Sequence, residues 1–333
     1  IVIGMGGSIL GTKSIYSFFK KKVKKNLFFF DNLDAALYKQ INKKILNNSC
    51  VIIVSKSGNT LETIVNLNII SSRLSLKHKS IFITELKDNS LNKLANEYNA
   101  EVIEHKNYIG GRYSVLSEVG MLPAALMGLD TKKFRNLKKL IQDKNFVASL
   151  ITNVASIYTL YNQGIKNSVI LNYNSKLIEL SLWYQQLTSE SLGKKGKGIT
   201  PIISTSPKDH HSTMQLYLDG PKDKFYTFFI SKSKNEKYKV NKKNIPINMK
   251  FIKNKNLFSI IAAQHKATQH TFKLKKIPFR QFILTKNSEE ELGSLFTFFV
   301  LETILLARLL NINPFDQPAV EQIKVRTRKI LSN

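Results

Sequence analysis

The first third of the chain alternates short, continuously apolar runs with longer segments of helical periodicity. The apolar runs predict strands at residues 1–3, 27–30, 51–54, 81–84 and 101–104. The segments between them predict helices at residues 8–19, 33–46, 60–74 and 90–98. Strands that are apolar on both faces must be covered on both faces, and strands joined through helices run parallel. The pattern therefore predicts a doubly wound α/β domain with a parallel sheet.

The alternation returns after a helical stretch at residues 113–164, which has breaks at Pro123 and Gly128. Strands are then predicted at residues 168–173, 201–204, 224–231 and 279–285, and helices at residues 176–192, 212–218, 289–310 and 318–331. The Lys- and Asn-rich residues 232–254 are predicted to form a loop. We expect three units: a first α/β domain at 1–130, a second at 131–310, and a C-terminal helix at 311–333 that is free to pack back on the first domain.

The composition limits the classes of protein that fit. A length of 333 residues suits two domains, and 43% hydrophobic residues exclude a disordered chain. The formal net charge is +28, but lysine is spread along the chain and accompanied by much Asn and Ile. This distribution favours compositional drift over a nucleic-acid patch, so no nucleic-acid partner is expected.

Compartment and membrane signals are few. The single cysteine, Cys50, excludes an intramolecular disulfide framework and suits a reducing compartment, so we expect a cytoplasmic protein. The apolar residues 295–310 are interrupted by Glu302 and Arg308 and predict a buried helix, so no membrane association is expected. Ile1 already belongs to a predicted core strand, and we expect the sequence to lack its natural N-terminal segment.

Two loops follow predicted strands and open predicted helices, where parallel sheets bind ligands. Residues 4–8 (GMGGS) allow a tight turn and a helix N-terminus that attracts anions, although a simple turn is an alternative. Residues 55–60 (SKSGNT) carry three hydroxyls where an ordinary helix cap needs one, which favours a phosphate monoester. Neither loop has a Walker lysine, which argues against nucleotide hydrolysis.

Single residues elsewhere could support acid–base chemistry, and each has a structural alternative. Arg112 follows two glycines and could stabilise an oxyanion or form a surface ion pair. Gln186 and Glu190 lie on one helical face, and Glu190 could be a general base or an ion-pair partner of nearby lysines. Lys324 could be a functional ammonium or one more solvated charge.

The histidines give no metal site. His210 and His211 precede a helix and point in different directions, so at most one is expected to be functional. The other histidines lack carboxylate or cysteine neighbours at metal-ligand spacing. We interpret them as structural or surface residues: His78, His105, His265 and His270.

Taken together and in order, these segments resemble the phosphoglucose isomerase family. Residues 107–117 (NYIGGRYSVLS) and 313–324 (NPFDQPAVEQIK) are similar to its two signatures. Four further segments occur in the family's order, at residues 4–11, 55–63, 185–193 and 211–220. The chain departs from the pattern at Ala319, where the family usually has glycine, and at Glu118, where the residue is normally small.

The resemblance implies two sugar-isomerase-type α/β domains and an isomerase of glycolysis and gluconeogenesis. It would interconvert glucose 6-phosphate and fructose 6-phosphate through a cis-enediolate, without a cofactor or metal. Glu190 would move the proton between C2 and C1, Arg112 would stabilise the enediolate, and Lys324 would assist near the ring oxygen and O1. Contacts to the phosphate and the rest of the substrate are implied for Gly7, Ser8, Ser55, Lys56, Ser57, Thr60, Gln186 and Gln317.

The resemblance also implies a homodimer in which His211 takes part in opening the sugar ring in the neighbouring subunit's site. Three alternatives stay open from the sequence. They are a dual phosphoglucose/phosphomannose isomerase, a non-catalytic phosphosugar sensor, and a basic nucleic-acid-binding protein.

Overall fold

The computed structural model describes residues 1–77, 79–232, 238–241, 243 and 245–332, which form two parallel sheets. The first sheet contains β1 (Val2–Gly4), β2 (Phe29–Phe30), β3 (Val51–Val54), β4 (Ser80–Thr84) and β5 (Glu101–Glu104) in the order β2-β1-β3-β4-β5. The second contains β6 (Asn167–Asn172), β7 (Thr200–Thr205), β8 (Lys224–Ser231) and β9 (Phe279–Leu284) in the order β7-β6-β8-β9. The strand pairs are parallel in both sheets, which confirms the predicted fold class.

The central strands β1 and β3 of the first sheet are buried on both faces. Ile3 and Ile53 pack into one hydrophobic cluster, whereas Val2 and Ile52 pack into another on the opposite face. Successive side chains of a strand point to opposite faces, so a strand covered on both sides must be apolar throughout. This arrangement is the physical origin of the continuous apolar runs.

Helices connect and cover the strands. The first half contains α1 (Leu10–Phe19), α2 (Ala35–Lys39), α3 (Lys43–Asn47), α4 (Leu61–Ser71), α5 (Ser90–Glu97), α6 (Glu118–Leu126), α7 (Thr131–Phe134), α8 (Leu137–Gln142) and α9 (Lys144–Asn162). The second half contains α10 (Ile178–Leu192), α11 (Met214–Asp219), α12 (Leu257–Leu274), α13 (Glu289–Leu309) and α14 (Pro318–Leu331). Short 3-10 helices occur at Gly6–Ser8, Gly111–Leu116, Ser175–Leu177, Lys208–His211 and Ile247–Ile252.

Several predicted helix bounds were wrong, and the caps explain why. The single helix predicted at 33–46 is two helices, because Asn42 accepts a hydrogen bond from Ile45 N and starts α3. The stretch predicted at 113–164 is a 3-10 helix followed by α6 to α9, with Gly128 in the left-handed region (φ +80°) after α6. Asp143 caps α9 through Asn145 N and Phe146 N.

The region after β8 differs from its prediction in part. Helix α12 was not predicted, although Asn256 caps it by accepting from Ser259 N. Of the predicted loop at 232–254, residues 233–237, 242 and 244 lie outside the described residues, as does His78. The described remainder includes the 3-10 helix Ile247–Ile252.

The largest hydrophobic cluster joins the two halves of the chain. It includes residues of α1, α6, α9, α10 and α13, with Trp183 of α10 packed edge-on against Phe296 of α13 at 4.8 Å between ring centroids. A buried ion pair between Arg280 and Glu302 also bonds to Tyr184 of α10. These contacts fix α10 between the sheets. The domain bounds at 130/131 and 310/311 stay predictions.

Among the described residues, one helix, α13, is long and apolar enough to cross a membrane by length and composition. Its most apolar window is 61% buried, and Phe296 and Phe299 lie fully inside the core. We therefore interpret α13 as a core helix. By contrast, α14 is exposed along its length, including Ile323 and Ile330.

Candidate active site

The predicted ligand loops leave neighbouring strands at one edge of the first sheet. The chain passes from β1 to β2 on one side and then to β3 on the other, so the strand order reverses between β1 and β3. Gly4 pairs in register with Val54, and each is the last residue of its strand. Residues 4–8 and 55–60 therefore begin side by side at the carboxyl edge of the sheet, where such folds bind ligands.

The glycine loop is pressed against two other elements. A Cβ on Gly6, which has φ +53°, would lie 2.6 Å from the Gln186 side-chain nitrogen. A Cβ on Gly7 would lie 2.2 Å from the carbonyl carbon of Gly111 and 2.5 Å from Arg112 N. Neither position has room for a side chain, and Ser8 is also buried. The loop thus lies against Gln186 at Gly6 and against Arg112 at Gly7; the substrate contacts of Gly7 and Ser8 stay predictions.

The hydroxyl loop is held in one conformation by its own side chains and by α5. The Ser55 and Thr60 hydroxyls lie 2.8 Å apart, and the Ser57 hydroxyl accepts from Asn59 N at 3.3 Å. The Asn59 side chain accepts from Ser90 N at 3.0 Å. Lys56 leads away from this turn and donates to the Asn107 carbonyl at 2.6 Å. Ser55, Ser57 and Thr60 therefore lie in one turn before α4.

Arg112 and Glu190 form the polar centre of the site. Arg112 Nη1 donates to Glu190 Oε2 at 2.9 Å, and Gln186 Nε2 donates to Glu190 Oε1 at 2.8 Å. The Arg112 side chain is 3% exposed, whereas the Glu190 side chain is 27% exposed. A buried cation thus lies behind a carboxylate that a small molecule can reach.

Arg112 also holds the segment that precedes α14. Its Nη1 donates to Gln317 Oε1 at 2.7 Å, and its Nη2 donates to the carbonyls of Pro314 and Asp316 at 2.6 and 3.0 Å. Lys194 reinforces this arrangement through an ion pair with Asp316 at 3.0 Å. Gln317 therefore lies at the same polar centre as Glu190, and its contact with the substrate stays a prediction.

The prediction from the sequence missed two residues that complete the centre. Ser191 Oγ accepts from Arg112 Nε at 2.9 Å and lies 2.7 Å from the Tyr113 hydroxyl. Tyr113 is half-buried, and its pKa is raised mainly by desolvation, so its hydroxyl stays protonated. Ser191 directly follows Glu190 in the sequence, and Tyr113 directly follows Arg112. This adjacency to predicted site residues was the only sequence feature that could have indicated them.

Two predicted catalytic residues, His211 and Lys324, are joined to Glu190 by no hydrogen bond or ion pair in the described part of the chain. Lys324 pairs with Glu321 of its own helix at 2.6 Å, and both side chains are 59% exposed. His211 is exposed on the 3-10 helix that follows β7.

No group of three or more His, Cys, Asp or Glu side chains that could hold a metal occurs in residues 1–77, 79–232, 238–241, 243 and 245–332. The site itself contains a reachable carboxylate, a buried guanidinium and a set of hydroxyl and amide donors. Such a set can move a proton and stabilise an oxyanion.

Comparison with known proteins shows the family of this chain. The phosphoglucose isomerase family model matches residues 1–333. A glucose-6-phosphate isomerase of Methanocaldococcus jannaschii is 36% identical over 338 residues, covering 97% of this chain and 82% of that protein. The crystal structure of a hypothetical protein from Thermus thermophilus superposes with a TM-score of 0.89 at 26% identity, covering 100% of this chain and 83% of that one.

A second solved structure supports the fold. A glucose-6-phosphate isomerase from Chlamydia trachomatis superposes with a TM-score of 0.79 at 20% identity, covering 99% of this chain and 69% of that chain. The match of the family along the whole sequence confirms the resemblance drawn from residues 107–117 and 313–324. This chain belongs to the phosphoglucose isomerase family.

Proposed function

We propose that the chain catalyses the reversible isomerisation of D-glucose 6-phosphate and D-fructose 6-phosphate, a step of glycolysis and gluconeogenesis. The family and the names of the curated relatives support this reaction. The observation that carries it is the 2.9 Å pair of Arg112 and Glu190 beside two loops suited to a phosphorylated ligand. We expect no cofactor, since proton transfer next to a carbonyl needs a base and a stabilised oxyanion.

Glu190 is the proposed base. With the sugar ring open, its carboxylate takes the proton from C2 of the aldose, and the electron pair left behind forms the cis-enediolate. The proton on O2 then passes to O1, and the same carboxyl gives a proton to C1, either the one it took or one exchanged with solvent, which leaves the C2 carbonyl and the C1 hydroxyl of the ketose. The Gln186 amide and Arg112 hold the two carboxylate oxygens, which restricts the carboxylate to one orientation.

Arg112 is the proposed stabiliser of the enediolate. Its guanidinium is buried and tied to Ser191 and to the Pro314 carbonyl, so it has little freedom to reorient. A fixed cation near developing negative charge needs no reorganisation during the reaction. Lys324 is proposed to assist near the ring oxygen and O1, which requires α14 to approach the site.

The phosphate is proposed to bind at Ser55, Ser57 and Thr60. These hydroxyls lie at the N-terminus of α4, where free backbone N–H groups and the helix dipole favour an anion. Lys56, Gly7 and Ser8 would complete this part of the site, with Gln186 and Gln317 as further polar contacts. Binding energy from the phosphate would hold the distant reacting carbons against Glu190.

We further propose a homodimer in which His211 of one copy opens the sugar ring in the site of the other. The exposure of His211 and its lack of a bond to Glu190 among the described residues support this reading. The exposed apolar side chains of α14, such as Ile323, leave surface for a second copy. A cytoplasmic location, without nucleic-acid or membrane partners, is also proposed; the free, exposed thiol of Cys50 is compatible with a reducing compartment.

The test is a coupled assay in both directions, with glucose 6-phosphate and with fructose 6-phosphate. We expect turnover in both, and in deuterated water we expect deuterium at C2 of glucose 6-phosphate made from fructose 6-phosphate. Absence of turnover with either sugar would overturn the proposed reaction. Deuterium at C3 or a later carbon, with none at C2, would overturn an enediolate between C1 and C2.

A further inference from the structure

The turn that carries His211 is anchored by the residue before it. His210 points inward from the 3-10 helix Lys208–His211, and its Nε2 lies 2.7 Å from the Tyr173 hydroxyl. Tyr173 directly follows β6 and is only 6% exposed. Its ring packs against Phe228 and His265, with ring centroids 6.1 and 5.2 Å away. The anchor is therefore rigid.

The hydrogen bonds beyond Tyr173 determine which partner donates. The Tyr173 hydroxyl donates to Thr268 Oγ1 at 2.9 Å, and the Thr268 hydroxyl donates to the Gln264 carbonyl at 2.9 Å. The Tyr173 oxygen is then left to accept from His210 Nε2–H. Burial lowers the pKa of His210 and raises that of Tyr173, so both groups stay neutral in this bond.

A second anchor holds the same turn. Asp209 Oδ2 accepts from Thr205 N at 2.6 Å and from the Ser204 hydroxyl at 2.9 Å. Both residues that precede His211 are thus fixed to the second sheet. Successive residues of a 3-10 helix are about 120° apart, because each turn contains about three residues. With His210 held inward, His211 is directed outward.

We propose that Tyr173 and His210 are positioning residues that aim His211 at the sugar ring of the neighbouring copy. The proposal rests on the proposed function, in which His211 opens the ring. Neither Tyr173 nor His210 would touch the substrate. Loosening the turn would disturb the ring-opening step, whereas proton transfer by Glu190 would be spared.

The test compares a substrate that must open with one that is already open. Fructose 6-phosphate closes through its C5 hydroxyl, and 5-deoxyfructose 6-phosphate lacks that hydroxyl. For Tyr173→Phe and His210→Ala we expect kcat/KM to fall about tenfold or more with fructose 6-phosphate, because small displacements of a reacting group are costly. With the open-chain analogue we expect kcat/KM to change by less than about twofold, because a misplaced Glu190 would lower it much more.

Matched variants separate positioning from general stability. Tyr226→Phe removes another buried tyrosine hydroxyl from the same hydrophobic cluster, which donates to the Tyr217 carbonyl at 3.3 Å. This variant should leave unchanged the ratio of kcat/KM for fructose 6-phosphate to kcat/KM for the open-chain analogue. His210→Gln keeps an amide donor near the position of Nε2. It should therefore restore this kcat/KM ratio to that of the unmodified protein.

The outcomes are distinguishable. Equal losses on both substrates in Tyr173→Phe and His210→Ala, or no loss on either, would overturn the inference. Among the variants, His211→Gln should show the largest difference between the loss of kcat/KM with fructose 6-phosphate and the loss with the open-chain analogue. If His211→Gln shows no such difference, the proposed role of His211 is wrong and the inference fails with it. If the difference occurs in His211→Gln but not in Tyr173→Phe or His210→Ala, the inference is wrong while the proposed role of His211 stands.

Discussion

Arg112 donates a hydrogen bond of 2.9 Å to the Glu190 carboxylate, although 78 residues separate the two in the sequence. The cation is buried, and the carboxylate is partly open to solvent. Both are held by further hydrogen bonds to the protein, from Gln186 to Glu190 and from Arg112 to Ser191. The groups proposed to transfer the proton and to stabilise the oxyanion are thus arranged before any substrate binds.

The first prediction concerns the base. Glu190→Gln should lower kcat by about a hundredfold to ten-thousandfold, because an amide cannot accept the substrate proton. The melting temperature should fall only modestly, since the amide oxygen can still accept from Arg112 although the bond from Gln186 Nε2 is lost. Glu179→Gln on the same helix is the control and should keep its turnover, because Glu179 faces Lys13 instead of the site. Turnover of Glu190→Gln within tenfold of the unmodified protein would contradict the role.

The second prediction concerns the buried cation. Arg112→Lys should lower kcat by about a hundredfold or more, because one ammonium cannot reproduce the planar set of donors. Amide hydrogen exchange at residues 313–317 should become faster, because this segment loses its bonds from Nη1 and Nη2. The exposed Arg308→Lys is the control for the substitution itself. Unchanged exchange at 313–317 would show that Arg112 does not hold the segment.

The third prediction uses two glycines that face each other. Gly7→Ala should reduce both stability and turnover, because its Cβ would lie 2.2 Å from the backbone of Gly111. Gly111→Ala is the matched control, since a Cβ there meets no atom within 4 Å. Thermal unfolding and the coupled assay measure the two effects. Equal behaviour of the two variants would contradict the close approach of the glycine loop.

The fourth prediction concerns the phosphate. Ser55→Ala should raise KM about tenfold, the expected cost of losing one hydrogen bond to a charged group. Competitive inhibition by inorganic phosphate should weaken by a similar factor. Ser72→Ala, at the far end of α4, removes a hydroxyl that donates to the Ile69 carbonyl of its own turn at 2.8 Å, and serves as the control. A normal inhibition constant for phosphate in Ser55→Ala would place the anion elsewhere.

The fifth prediction concerns the stability of the fold at acid pH. Burial lowers the pKa of His265 from 6.5 to about 4, and its Nε2 has no hydrogen-bond partner among the described residues. The folded state therefore binds fewer protons than the unfolded state, so this stabilisation is complete above pH 6.5 and is lost as the pH falls toward 4. The full difference corresponds to about 3 kcal/mol of unfolding free energy.

Denaturant unfolding between pH 7 and 4 measures this effect. His265→Leu should flatten the pH dependence, since it removes the group that must stay neutral. His270→Leu, an exposed position of the same helix, should leave the slope unchanged. An equally steep slope in His265→Leu would assign the acid sensitivity to other groups.

Local patterns predicted the sheets well. The runs at 51–54 and 101–104 became β3 (Val51–Val54) and β5 (Glu101–Glu104) without a shift. Burial on both faces leaves a clear apolar signal in β3, whereas β5 is an edge strand that is only partly buried. Helix α12 was missed, since its buried face includes His265 and Thr268, which do not register as apolar. The break between α2 and α3 depends on the Asn42 cap, which is one residue in a helical pattern.

The site could be predicted only in part. The hydroxyl loop and the glycine loop were apparent from residue types next to strands, which is a local property. The pairing of Arg112 with Glu190 was not, because spacing along the chain carries no information on contacts between remote segments; their roles came from the family resemblance. The inward turn of His210 depends on Tyr173, 37 residues earlier, and no pattern in the sequence indicates it.

The hydrogen bonds of Arg112 have a consequence for how function is lost. One guanidinium ties together α10, the 3-10 helix Gly111–Leu116 and the residues before α14. Mild denaturation that releases α14 and the residues before it would abolish catalysis while both sheets stay folded. During a urea titration, catalytic rate should therefore decline ahead of the far-ultraviolet circular dichroism signal.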